Sequence, residues 1–246
     1  MMKNLTLIFF IFSLLSYSQN NFTSARSIEI SENNYEEQLR SSIVKNIELT
    51  NIGPSVMSGR VTDLEVNPNN PTEFYVAYAS GGLWHTKNNG TTFSPIMDNS
   101  MTQNIGDFAI DWKSNSIYVG TGESNSSRSS YPGIGILKSN DNGSTWSNIG
   151  LRDSHHISRV LVNPNNENHI VVAVIGHLYT KNTQRGIFTS FDNGQTWKKS
   201  LFINDNTGAI DLVVDPENFD IQYAASWERE RKAWNFVGSG DNSGIY

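Results

Sequence analysis

Short apolar runs separated by polar turns recur along most of this chain. Arg60-Val61-Thr62-Asp63-Leu64-Glu65-Val66 leads through Asn67-Pro68-Asn69-Asn70-Pro71 to Phe74-Tyr75-Val76-Ala77-Tyr78. Arg159-Val160-Leu161-Val162 leads through Asn163-Pro164-Asn165-Asn166 to Ile170-Val171-Val172-Ala173-Val174. Ile210-Asp211-Leu212-Val213-Val214 leads through Asp215-Pro216-Glu217-Asn218 to Ile221-Gln222-Tyr223-Ala224-Ala225. A further unit uses the shorter turn Lys113-Ser114-Asn115 between Phe108-Ala109-Ile110-Asp111-Trp112 and Ile117-Tyr118-Val119-Gly120. Runs rich in β-branched and aromatic residues, bounded by Asn and Pro, predict antiparallel hairpins.

Downstream of each hairpin lies a second repeated feature. Ser139-Asn140-Asp141-Asn142-Gly143-Ser144-Thr145-Trp146 matches Ser190-Phe191-Asp192-Asn193-Gly194-Gln195-Thr196-Trp197, and Thr86-Lys87-Asn88-Asn89-Gly90-Thr91-Thr92-Phe93 is a degenerate copy. Their glycines are spaced by about fifty residues, a period typical of propeller blades. An apolar stretch precedes each box: Leu83-Trp84, Ile136-Leu137 and Ile187-Phe188. Asn-Gly tolerates positive φ, so each box predicts another hairpin turn. The unit is therefore strand A, short turn, strand B, variable loop, strand C, box turn, strand D. Another copy begins at Gly244-Ile245-Tyr246.

The fold class predicted is all-β: a β-propeller of four-stranded antiparallel blades. About three complete blades plus a partial fourth are expected, as the N-terminal part of a larger propeller truncated at the C-terminus. An open solenoid or a sandwich is the rival arrangement. The expected domains are a leader over 1–18, a polar segment over 19–48 with a helical turn or two near 36–45, and blades over 49–246.

The Ser-x-Asp-x-Gly-x-Thr-Trp pattern resembles the Asp-box, or bacterial neuraminidase repeat, of sialidases, sortilin-type ectodomains and propeller glycoside hydrolases acting on xyloglucan. With Ile52-Gly53-Pro54 and Thr207-Gly208-Ala209-Ile210-Asp211-Leu212, the likeness is strongest to secreted bacterial glycosyl-hydrolase-like or sortilin-type repeat proteins. The physical job of the box is structural. Asp141 and Asp192 are placed to accept turn N–H groups; Gly143, Thr145, Trp146, Gly194, Thr196 and Trp197 complete the two full copies. A carboxylate repeated in every blade has no unique place to act in a catalytic pair.

Strand alternation puts the A–B and box turns on one face and the B–C and D–A loops on the other. The B–C loops differ greatly: 79–82, 121–135, 175–186 and 226–243. Binding residues concentrate in variable loops held by a rigid scaffold. The candidate ligand contacts are Glu123, Arg128, His177, Arg185, Trp227, Glu228, Arg229 and Trp234. Trp and Arg side chains facing a cleft suit sugar or peptide recognition. The run from Glu228 to Lys232 also reads as a plain solvated charge stretch. No metal site and no cofactor are expected: adjacent His155 and His156 point apart on an extended strand, and no carboxylate accompanies them at ligand spacing.

Composition narrows the setting. Lys3 followed by the apolar run Leu5 to Leu15 and then Ser16-Tyr17-Ser18 has the order of a secretory leader, with cleavage near Ser18-Gln19. That run is too short to span a bilayer and none of that length follows it, so no membrane span is expected in the mature chain. The predicted location is secreted, periplasmic or cell-surface. The 246 residues include no cysteine, which removes disulfides, thiolate metal sites and a Cys nucleophile. A net charge of -6, with no basic stretch, argues against nucleic acid as a partner.

The function expected is non-catalytic binding of an extracellular glycan, peptide or protein across the loop face. The alternative is a glycoside hydrolase using paired carboxylates at the propeller mouth. Against it, xyloglucan-type enzymes carry an acidic residue where this chain reads Tyr78-Ala79-Ser80-Gly81-Gly82. No motif singles out a sialidase arginine triad either.

Overall fold

The computed structural model describes residues 22–47 and 59–246. The leader over 1–18 and the Ile52-Gly53-Pro54 segment lie outside the described residues.

The Asn-bounded apolar runs form the hairpins expected. β1 (Val61–Val66), β2 (Phe74–Tyr78), β3 (Gly82–Thr86) and β4 (Ser94–Pro95) pair in that order as the first sheet. β5 (Ile105–Asp111), β6 (Ser116–Thr121), β7 (Ile136–Ser139) and β8 (Ser147–Asn148) form the second. The third is β9 (Ile157–Asn163), β10 (Asn166–Val174), β11 (Gly186–Ser190) and β12 (Lys198–Leu201). In the fourth, β13 (Thr207–Val214) pairs with β14 (Gln222–Glu228), and β14 with β17 (Gly244–Ile245). A small hairpin, β15 (Glu230–Arg231) and β16 (Phe236–Val237), is inserted between β14 and β17. These are propeller blades, three of four strands and a fourth of three, packed in succession I on II, II on III and III on IV.

The core lies between blades. Tyr75, Ala77 and Leu83 of blade I meet Phe108, Ile117 and Leu137 of blade II. β10 is apolar from Ile170 to Val174, where both of its faces are covered. Ile170, Val172 and Val174 pack on Tyr118 and Ile136 of blade II, whereas Val171 and Ala173 pack on Ala209, Leu212 and Ala224 of blade IV.

The box turns repeat one hydrogen-bond set. Asp192 Oδ1 accepts from Thr196 N (2.8 Å) and Ser190 Oγ (2.7 Å), and Asp192 Oδ2 accepts from Thr196 Oγ1 (2.5 Å). Asp141 does the same with Thr145 and Ser139. In blade I, Asn88 Oδ1 accepts from Thr92 N and Thr86 Oγ1, but the other contact is reversed: Asn88 Nδ2 donates to Thr92 Oγ1. The degenerate box thus keeps its turn with neutral bonds in place of charge-assisted ones. Each box Trp also reaches the preceding blade. Trp146 Nε1 donates to Ile96 O and Trp197 Nε1 to Ile149 O. The box glycine makes room for that approach: a Cβ on Gly194 would come within 2.5 Å of Ile149 Cδ1.

Every innermost strand has a register shift near its start, and the residue just past it is Asp63, Asp107, Arg159 or Asp211. Arg159 joins two of its neighbours: Nη1 donates to Asp107 Oδ1 (3.3 Å), and Nε and Nη2 donate to Asp211 Oδ1 (3.0 and 2.8 Å).

The N-terminal segment departs from expectation. Rather than a turn or two near 36–45, it forms α1 (Ala25–Ser41), capped by the Ser24 side chain accepting from Ser27 N. No residue of α1 is buried, and its most covered side, Ala25, Ile28 and Glu32, is only half-buried. The ion pair between Glu32 and Arg152 (2.5 Å) ties it to blade III.

Candidate functional site

A cavity of about 430 Å³ opens on the B–C and D–A loop face. Blade II contributes Ser130 and Pro132 from its B–C loop, and blade III contributes His155, His156 and the stretch His177–Thr180. The β15–β16 hairpin supplies Arg231 to Trp234, and Phe22 and Thr23, just ahead of α1, complete the wall. Loops from three blades and the N-terminal segment thus converge on one space.

Close backbone approach holds these loops. Gly122, at φ +87°, would place a Cβ 1.8 Å from His155 O, so only glycine fits where loop II passes under the D–A connection. Gly133 N donates to the same His155 carbonyl (2.6 Å). His155 itself lies in the left-handed region at φ 55°. Strained non-glycine backbone of this kind concentrates at functional sites.

Two buried arginines shape the loops from within. Arg185, 1% exposed, donates to the carbonyls of Ile175, His177 and Thr180. Arg229, 2% exposed, donates from Nη1 to Asn125 O and Ser126 Oγ and sits over the Trp227 ring. Burial lowers the Arg185 pKa to about 10, and burial together with Arg185 lowers that of Arg229 to about 9, so both remain charged at neutral pH. Glu123 is buried too, with Oε1 accepting from Arg60 Nε (2.7 Å). Glu228 is half-buried and accepts from Asn242 N and Nδ2, which hold its pKa below the usual carboxylate value.

Of the residues singled out in the sequence, His177 and Trp234 line the cavity. Arg128 is exposed, and its carbonyl accepts from Tyr179 Oη (3.3 Å). Arg185, Arg229 and Glu123 are buried and do not line the cavity, and Trp227, half-buried, donates to Gly238 O instead. The Glu228–Lys232 run is not uniformly solvated, because Arg229 is buried within it.

Three histidines meet at the floor. His156 and His177 are buried, and burial drives the His156 pKa down to about 3 and that of His177 to about 4; His155 shifts the same way, also from burial. The His156 Nδ1 bonds the Glu123 carbonyl (2.8 Å). The rings of His155 and His156 stand 6.5 Å apart and nearly perpendicular, whereas His155 stacks on His177 at 3.6 Å. Asp153 completes the group, with Oδ1 3.3 Å from His177 Nε2. Sequence reasoning did not bring in Phe22, Thr23 or Asp153. Asp153 lies two residues before His155, but the turn at 152–153 and the left-handed His155 backbone bring the two together, not strand alternation.

Among the described residues, the buried side-chain nitrogens and oxygens without a hydrogen-bond partner all belong to this face or to α1 docked on it. They include atoms of Glu123, Ser130, His177, Arg229 and Arg231. At the rim the apolar groups are exposed: Trp234 is 80% exposed and Tyr179 about half. No helix of the described residues is long and apolar enough to cross a membrane.

No family model matches the chain, and no curated protein matches it in sequence. Solved structures do match it in fold. An ancestral GH74 enzyme aligns over 73% of this chain with 20% identity and a TM-score of 0.57. The GH74 enzyme of Niastella koreensis aligns over 73% with 20% identity and a TM-score of 0.53. The chain covers 24% and 28% of those two structures, about a quarter of their length.

Proposed function

We propose that this chain is an Asp-box propeller scaffold, acting outside the cytoplasm, whose loop face binds an extracellular glycan in the cavity walled by blades II to IV. One observation carries the reading: the unpartnered buried polar atoms of the described residues gather on the one face that also exposes Trp234 and Tyr179 beside a cavity. Buried polar groups require partners, and water or a ligand is what this face leaves to supply them. A flat aromatic rim over polar groups is the chemistry of sugar binding, because the ring covers the apolar C–H face while hydroxyls bond below. The GH74 enzymes share the fold, which adds carbohydrate chemistry as an analogy.

Binding is favoured over hydrolysis. A glycosidase of the two-carboxylate kind needs one carboxyl held protonated. On this face Glu228 is shifted the opposite way, and Glu123 is tied to Arg60.

The test is a glycan screen of the whole chain followed by Trp234→Ala. Loss of affinity by roughly 10-fold or more is expected for an aromatic that the ligand would cover on stacking, with Lys113→Ala on the far face unchanged. Affinity that ignores Trp234 but falls with Lys113 overturns the site. A peptide hit in place of any glycan overturns the ligand class. Sugar release abolished by Glu123→Gln or Glu228→Gln moves the reading to a hydrolase.

A further inference from the structure

We infer that Asp153, His155 and His177 form a binding site for one divalent transition-type cation, of the zinc class, at the floor of the loop-face cavity. One ligand atom from each residue lies within 4.8 Å of the other two. Tetrahedral zinc with nitrogen and oxygen ligands needs donors roughly 3.4 Å apart. Asp153 Oδ1 and His177 Nε2 are already 3.3 Å apart, and bringing in the third donor requires the His155 ring to turn out of its stack on His177.

The second nitrogen of each imidazole is engaged in the way metal-bound histidines require. His155 Nε2 lies 3.1 Å from Thr23 O, which fixes that nitrogen as the N–H donor and leaves Nδ1 with its lone pair. His177 Nδ1 bonds Thr180 Oγ1 (2.7 Å). Outer-shell partners of this kind set the tautomer and aim the free nitrogen.

His177 provides the independent sign that something belongs here. The residue is 2% exposed and lines the cavity, yet its Nε2 makes no well-aligned hydrogen bond to the Asp153 carboxylate 3.3 Å away. A lone pair facing a carboxylate oxygen at that separation is unfavourable unless a proton or a cation stands between them.

The donor set selects the ion. Two imidazoles and one carboxylate suit zinc and its neighbours, while magnesium and calcium prefer all-oxygen shells. Three protein ligands leave a fourth position, and both histidines border the cavity, so that position faces the ligand space. The ligands come from two loops of blade III, 153–155 before β9 and 177 after β10, which places the site on a single blade.

The experiment uses the whole chain, stripped with chelator and titrated with zinc against a chromophoric competitor, and separately with cobalt. One equivalent of zinc should bind, and the cobalt form should show intense tetrahedral d–d bands. Asp153→Asn and His177→Ala should each weaken zinc binding by roughly 100-fold or more, while His169→Gln, on the far face, should leave it unchanged. Nitrogen-detected spectra of the wild-type chain provide a readout that does not depend on variant folding. Zinc should shift His155 Nδ1 and His177 Nε2 and leave His169 in place. No zinc binding by the wild-type chain, binding that survives Asp153→Asn, or shifts confined to His169 or His85 each overturns the site.

Discussion

The indole of Trp197 donates its proton to the carbonyl of Ile149, 2.8 Å away in the preceding blade. The same pair recurs one blade earlier, where Trp146 donates to Ile96. The box turn thereby reaches beyond its own hairpin. It fixes the spacing between adjacent sheets through a bond whose donor and acceptor come from different repeats.

Replacing Trp197 with Phe keeps most of the packing but leaves the Ile149 carbonyl without its donor. The expected loss is on the order of 1–2 kcal/mol in denaturant unfolding. Trp84→Phe, whose Nε1 bonds Gly81 O within its own blade, serves as comparison. Equal stability of Trp197→Phe and wild type would show that the inter-blade bond contributes nothing.

The box carboxylate acts through its hydrogen bonds. The Thr196 hydroxyl, then the Thr196 amide and Ser190, hold the Asp192 pKa at about 2, below its ordinary 3.8. A depressed carboxylate pKa contributes stability above the unfolded value and loses it as pH falls through the folded one. Asp192→Ala should therefore lower the Tm at pH 7, and the deficit should shrink towards pH 2. Asp192→Asn should be milder, because Asn88 already holds this turn in blade I. Ligand binding should persist in both variants below their melting temperatures.

Glu65 has the opposite sign. Burial, then the Asp63 carboxylate, push its pKa up from 4.5 to about 7, with Arg159 pulling the other way. The folded chain therefore holds a proton that the unfolded chain releases, and stability falls as pH rises from 4.5 through about 7. Glu65→Gln should be more stable than wild type at pH 8, by on the order of 1–2 kcal/mol after allowance for partial solvent access. At pH 4 the two should coincide. Chemical denaturation at both values measures it, and an equal gain at both would contradict the titration.

Gly122→Ala should dismantle the loop face without unfolding the blades. Its Cβ would meet the His155 carbonyl at 1.8 Å, and the residue would be strained at φ +87°. The Tm should fall by several degrees, and binding at the cavity should be lost even at low temperature. Hydrogen exchange should rise in 121–135 and 153–156 while β10 stays protected. Uniform loss of protection would place Gly122 in the global core.

The blades are legible in the sequence because their determinants are local. Asn-Pro-Asn turns, alternating apolar runs and the Asp-Asn-Gly box each act within a few residues, and each appears where the pattern puts it. The cavity is legible only in part. The variable B–C loops identify the face, and Trp234 and His177 emerge on it. What sequence patterns leave out is direction. The guanidinium groups of Arg185 and Arg229 have the chemistry for ligand contact, yet in the fold they reach back to backbone carbonyls. Phe22 and Thr23 join the wall over a chain separation of more than a hundred residues from His155, and α1 buries none of its residues, so no core position marks where it docks.

The residues following the four register shifts are three aspartates and one arginine, although the blades that carry them are otherwise repeats. Arg159 neutralises carboxylates on both sides of it, so blade III fits only between two blades that bring Asp at that position. Exchanging blades III and IV would set Asp107 directly against Asp211 and leave the guanidinium beside Asp211 alone among the described blades. The order of the repeats is thus written in charge at their inner ends, and units that look interchangeable by shape are individually addressed.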